Sequence, residues 1–95
     1  MTILVLGTGI VGSAAAWDLR RRGFAVTVAD VDGESVERVA NAYGATPATI
    51  DVADARDLMD LMSMHELVVS AVPYRFGYAV ASAALATGTH HLDFG

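Results

Sequence analysis

Six residues near the amino terminus, Gly7-Thr8-Gly9-Ile10-Val11-Gly12, form a G-x-G-x-x-G run. By itself such a run is a weak signal, but this one leaves an apolar, β-branched stretch and opens a helix-forming one. A turn at that point leaves the first N–H groups of the helix unpaired beside the positive end of its dipole, which suits a pyrophosphate. The spacing predicts that Gly7 makes the tight turn, Gly9 lets the backbone approach the phosphates, and Gly12 lets helix and strand pack closely. Thr8, Ile10 and Val11 complete the candidate cofactor-binding loop. A glycine-rich turn with no ligand would read the same way; a second residue argues against it. Asp30 lies 18 positions beyond Gly12, at the end of the next apolar run. A carboxylate there can accept hydrogen bonds from both hydroxyls of an adenosine ribose. It also repels a 2′-phosphate, and neither Val31 nor Asp32 supplies a cation to offset that. The expected cofactor is therefore NAD, with NADP disfavoured. Asp30 and Asp32 can also cap the following helix, and the two roles can coexist.

Weaker candidates follow the later strands. Asp51 and Val52 come after the third strand, where an adenine ring would lie, although Asp51 could equally cap a helix. Ser70-Ala71-Val72-Pro73 leaves the fourth strand at the carboxyl edge of the sheet and could border the dinucleotide, yet a plain strand-to-helix turn would look alike. Asp93, at the end of the last strand, is a candidate for the nicotinamide or substrate side by location only. His90 and His91 are adjacent in a strand and point to opposite faces, so they do not suggest a metal site. His65 is most simply a residue near a helix C-terminus. No catalytic acid–base pair can be assigned.

These residues need elements to hold them, and the chain alternates between two periods. Thr2 to Leu6, Phe24 to Ala29 and Leu67 to Val72 are short apolar runs that fit strands buried on both faces. Ala45 to Ile50 is a weaker strand whose Pro47 argues for a sheet edge, and Thr89 to Phe94 is the last. Between them, Ile10 to Arg22, the segment capped by Asp32, Asp54 to Met64 and Tyr74 to Thr87 read as helices. Strands that alternate with helices through short right-handed crossovers give an α/β, Rossmann-like doubly wound parallel sheet. Five strands in the order 3-2-1-4-5 with four helices are expected, in one domain over residues 1–95.

Composition narrows the function. The 95 residues are 54% apolar and 18% charged, with a net charge of −5. There is no cysteine and no lysine, which removes thiolate chemistry, zinc–thiolate sites, Schiff-base chemistry and the lysine of an ATP-binding P-loop. An acidic chain without a basic stripe is a poor partner for nucleic acid. The amino terminus lacks the charged n-region of a signal peptide, and Phe76 to Leu92 is too weakly apolar to insert in a membrane. A soluble, cytoplasmic protein is expected.

Val68-Val69-Ser70-Ala71-Val72-Pro73-Tyr74-Arg75-Phe76, followed by Ala83-Ala84-Leu85-Ala86-Thr87-Gly88-Thr89-His90-His91-Leu92-Asp93, resembles the saccharopine dehydrogenase family, its lysine dehydrogenase branch in particular. The Leu4 to Gly12 stretch fits that family too, so the resemblance spans essentially the whole chain. It implies an NAD(P)-dependent oxidoreductase of lysine metabolism, acting at a carbon–nitrogen bond of an amino acid or its adduct. By the same resemblance Gly7, Gly9, Gly12 and Asp30 hold the nucleotide, and Pro73 and Tyr74 lie near its nicotinamide half. Asp30 departs from the NADP-using members. Members of the family continue into a substrate domain, so a missing domain or a homodimer partner is expected against the last strand and the Ala-rich helix. An NAD-sensing regulatory domain of the kind found in potassium transport systems shares the first half of the pattern and is the alternative; the Val-Pro-Tyr turn and the His-His-Leu-Asp strand favour the dehydrogenase.

Overall fold

The computed structural model describes residues 1–94, and Gly95 lies outside them. The elements run β1 (Thr2–Leu6), α1 (Ile10–Arg21), β2 (Ala25–Asp30), α2 (Gly33–Tyr43), β3 (Thr46–Thr49), α3 (Ala55–Met62), β4 (Leu67–Ser70), a 3₁₀ turn at Tyr74–Phe76, α4 (Gly77–Thr87) and β5 (His90–Asp93). The five strands form one sheet in the order β3-β2-β1-β4-β5, and every pairing is parallel. This is the doubly wound arrangement expected from the alternation of periods. Its centre is β1, whose register sets Leu6 opposite both Ala29 and Ser70. The carboxyl ends of β1, β2 and β4 therefore open side by side at the point where strand order reverses.

The strands earn their apolar runs by burial on both faces. On one face Leu4, Leu6 and Val68 pack against Leu58 and Met62 of α3 and Val80, Ala83 and Ala84 of α4. On the other, Ile3, Val5, Val26, Val28 and Val69 pack against Ala16 of α1 and Val36, Val39 and Ala40 of α2. Leu58 and Met62 are fully buried, each stabilising the fold by about 1.5–3 kcal/mol relative to an exposed side chain.

The element ends differ from the sequence expectation in one informative place. β4 stops at Ser70, not Val72, and the helix expected from Tyr74 begins as a 3₁₀ turn. The Ala71 N–H still reaches the Leu6 carbonyl at 2.8 Å. Beyond it β1 has already turned away at Gly7, so the chain has no neighbour to pair with. Pro73, which disfavours helix at Val72, caps the 3₁₀ turn, and α4 follows from Gly77. α4, apolar all round in sequence, buries only Val80, Ala83 and Ala84 within this chain. Its Tyr78 and Leu85 are exposed, as are Leu92 and Phe94 at the open edge of β5.

Candidate functional site

Gly7 leaves β1 with φ +101°, and its N–H donates to the Ala29 carbonyl at 2.7 Å. A Cβ there would stand 2.8 Å from the Ala71 carbonyl oxygen, so the turn is tied to glycine by both conformation and space. A Cβ on Gly12 would run into the Gly7 carbonyl itself, so this glycine permits contact between the helix and the loop that enters it. Gly9 is different: a Cβ on it would meet no protein atom within 4 Å. The protein does not need glycine there for its own packing, and the open space faces the cleft.

Gly9 is the N-cap of α1, which has no side-chain cap and no acidic residue in its first turn. The contrast with its neighbours is informative. Asp32 caps α2 by accepting from the Glu34 and Ser35 N–H groups, and Asp54 caps α3 by accepting from Asp57. The α1 start has no such carboxylate, and neither has that of α4, whose N-cap is Phe76. What sets α1 apart is that its N-cap Gly9 lines a cleft, where a free helix N-terminus can take an anion such as a pyrophosphate.

Asp30 closes the other side of the loop. Its Oδ2 accepts from the Thr8 N–H at 2.8 Å and from the Thr8 hydroxyl at 2.9 Å, and its Oδ1 accepts from the Val31 N–H at 2.7 Å. Burial works to raise the Asp30 carboxyl, but the bonds from Thr8 and from the Val31 and Asp32 N–H groups outweigh it and hold the group below the usual carboxylate range. It is thus an anion of fixed orientation at the tip of β2, equipped to accept from a vicinal diol.

Between these features lies a cleft of about 580 Å³ lined by Gly7, Gly9, Asp30, Val31, Asp51 and Val52 on one side, and by Ala71, Val72 and Pro73 on the other. Ile50, Tyr74, Arg75 and Phe76 complete the wall. Ten of the candidate residues, Tyr74 included, therefore meet in one cavity. The rest stand behind or beside it: Thr8 is buried and holds Asp30, Gly12 is buried beneath Gly7, Ser70 is buried at the end of β4, and Ile10 and Val11 are exposed on the first turn of α1. Asp51 lines the cleft and also accepts from the Ala53 N–H at 2.9 Å, so its turn-forming role is present whatever else it does.

Sequence reasoning did not find Ile50, Arg75 or Phe76 as wall residues, nor Ser35 behind Thr8. Nothing periodic marks them; they enter because the 3₁₀ turn folds back over the cleft and α2 packs against the loop. The histidines lie elsewhere. His65 bonds the Leu61 carbonyl and the Thr27 hydroxyl, each at 2.8 Å, below the sheet's opposite end. His90 is exposed and His91 half-buried on adjacent β5 positions. Among the described residues no group of three or more potential ligands could hold a metal, and no helix is long and apolar enough to cross a membrane.

Comparison with known proteins bears on the family and the fold. The sequence profile of saccharopine dehydrogenase NADP-binding domains matches residues 3–95. The NADP(+), L-glutamate-forming saccharopine dehydrogenase of Pyricularia oryzae is 33% identical over 90 residues, which cover 94% of this chain and 20% of that protein. The apo L-Glu-forming saccharopine dehydrogenase of Saccharomyces cerevisiae superposes with a TM-score of 0.91 at 27% identity, over 97% of this chain and 21% of its own. A nucleoside-diphosphate-sugar epimerase of Pseudomonas aeruginosa shares the fold at a TM-score of 0.84 and 19% identity, over 98% of this chain and 32% of its own. The chain thus spans about a fifth of the saccharopine dehydrogenases it matches.

Proposed function

Since this chain belongs to the family of saccharopine dehydrogenase NADP-binding domains, we propose that it is the cofactor-holding part of an oxidoreductase acting at a carbon–nitrogen bond of an amino acid or its adduct, with NAD as the preferred dinucleotide. The observation that carries this reading is the pairing of an uncapped α1 N-terminus with the fixed Asp30 carboxylate across one cleft. The N–H groups at Gly9, Ile10 and Val11 bind the pyrophosphate, Asp30 accepts from the adenosine ribose, and Ile50, Asp51 and Val52 border the adenine. Val72, Pro73 and Tyr74 lie along the nicotinamide half. A bound nicotinamide supplies the hydride-accepting ring; the protein fixes its position and walls it from water on one side. The wall on the substrate side, with the acid–base groups of the reaction, belongs to a further domain or a second copy covering the exposed Tyr78, Leu85, Leu92 and Phe94.

The preference for NAD rests on charge. Asp30 ends β2, Asp32 caps α2 and Glu34 lies in its first turn, so three carboxylates follow one another at the end of the site where a 2′-phosphate would sit, and like charges repel. The names of the family and of its Pyricularia relative carry NADP, so the two nucleotides must be compared directly. A thermal-shift titration does so. Ligand at about 100 times its Kd stabilises the folded state by about 2.7 kcal/mol, and a domain of this size shifts by about 4–8 °C per kcal/mol. NAD should raise the midpoint at concentrations where NADP does not. Equal or better stabilisation by NADP would overturn the preference, and no shift with either would overturn the cofactor role.

A further inference from the structure

A second cavity, of about 360 Å³, lies between the C-terminal ends of α1 and α2, at the end of the sheet opposite the cofactor cleft. Trp17, Arg20 and Arg21 line it from α1, and Ala42 and Tyr43 from α2. Arg20 is half-buried. Its Nη1–H donates to the Phe24 carbonyl at 2.9 Å and its Nε–H to the Tyr43 carbonyl at 3.3 Å. Two carbonyls hold the guanidinium in place without neutralising it, and neither bond uses Nη2, which carries two further N–H donors. Among the described residues the salt bridges are those of Arg21 and Arg22 with Asp18. Arg20 is thus a partly buried cation with no carboxylate in salt-bridge reach. Arg21 lies over the Trp17 ring, 4.9 Å from its centroid, and that ring is half exposed, with an indole N–H that can only donate.

The lining therefore sets guanidinium and indole donors around two aromatic rings and contains no Asp or Glu. Three of the six arginines of a chain with net charge −5 stand in this one stretch, Arg20 to Arg22. Basic residues in a last helical turn complement the helix dipole, which accounts for the charge but not for a cavity built on it beside a half-exposed tryptophan. We propose that this cavity is a docking site for an acidic peptide segment of a partner protein: one Glu or Asp carboxylate of the segment accepts from Arg20 Nη2, a second meets Arg21, and the stems of these side chains lie against Trp17 and Tyr43. Charge complementarity fixes the class of partner. A donor-rich lining without acids selects an anion, the planar guanidinium suits a carboxylate, and the aromatic rings favour a carboxylate carried on an apolar stem over a bare inorganic ion. The site is separate from the cofactor cleft and does not depend on the cofactor reading.

Trp17 is the only tryptophan of the chain, so its fluorescence reports this cavity directly. The test titrates the parent chain with hexaglutamate at low salt, and with hexalysine, acetate, inorganic phosphate and hexathymidylate as comparison probes. Hexaglutamate should give a saturable change that weakens as salt rises, and the other probes should give none over the same concentrations. Arg20→Gln and Arg21→Gln should each weaken hexaglutamate about tenfold, the worth of one charge-assisted hydrogen bond, with a thermal melt confirming that each variant is folded. Should Arg20→Gln not fold, Arg21→Glu, at an exposed side chain, decides in its place and should abolish the change. No saturable change with hexaglutamate in the parent would overturn the proposal, as would hexaglutamate binding that survives the arginine substitutions. It would be overturned equally by a change that acetate or phosphate reproduces, which would make the cavity a small-ion site, or by one that hexathymidylate reproduces, which would make it a nucleic-acid site.

Discussion

The two inner glycines of the loop make opposite predictions, because one is required by the protein and the other by its ligand. In Gly12→Ala the new Cβ is driven into the Gly7 carbonyl. Both sides of that contact are backbone, so no rotamer change relieves it. Overpacking of this kind costs about 1–3 kcal/mol, and a contact this close belongs at the upper limit. The better helix propensity of alanine returns about 1 kcal/mol. The net loss of about 2 kcal/mol lowers Tm by about 8–16 °C. In Gly9→Ala the Cβ meets nothing within 4 Å, and the backbone at φ −74°, ψ −162° accepts alanine. Replacing a glycine N-cap costs under about 1 kcal/mol, so Tm falls by less than about 8 °C. The methyl group instead enters the cleft at the phosphate position and displaces at least one charge-assisted bond, weakening NAD by about 10–100-fold. Calorimetric melts without ligand and nucleotide titrations of both variants decide the matter. Gly9→Ala binding NAD as tightly as the parent, or Gly12→Ala melting within a degree or two of it, would refute the division of roles.

Other outcomes follow from single contacts. Asp32→Ala removes the acceptor of the Glu34 and Ser35 N–H groups and should cost about 1 kcal/mol; an unchanged melt would mean α2 is held by packing alone. Leu58→Ala empties a fully buried site between α3 and the sheet and should destabilise by about 2–5 kcal/mol, read as a loss of denaturation midpoint. The Asp30 carboxyl is lowered by its donors, so its stabilising contribution is complete above the unfolded value near pH 4 and is lost as pH falls through the lower folded value. The difference in Tm between the parent and Asp30→Asn should therefore stay constant from about pH 5 to 8 and shrink only below about pH 4. A difference that grew on acidification would contradict the assigned bonds.

Much of this architecture is local in origin. The apolar runs at Thr2 to Leu6 and Leu67 to Ser70 need a two-sided burial that only a parallel sheet provides. Asp32 and Gly44 mark the two ends of α2 by capping and by a left-handed φ of +71°. Strand order then follows because short connections and right-handed crossovers leave few alternatives. The glycine loop and Asp30 were legible for the same reason: each sits at an element boundary, where residue type answers directly to backbone conformation. The rest was decided by packing. Thr8 finds Asp30 across 22 residues and Ser35 across 27, and the wall made by Arg75 and Phe76 exists because Pro73 turns the chain back over the cleft. No period or spacing marks such partners. A hydroxyl bonds whatever donor or acceptor the docking of two elements brings within 3 Å, and that distance is a property of the assembled layers, not of either segment alone.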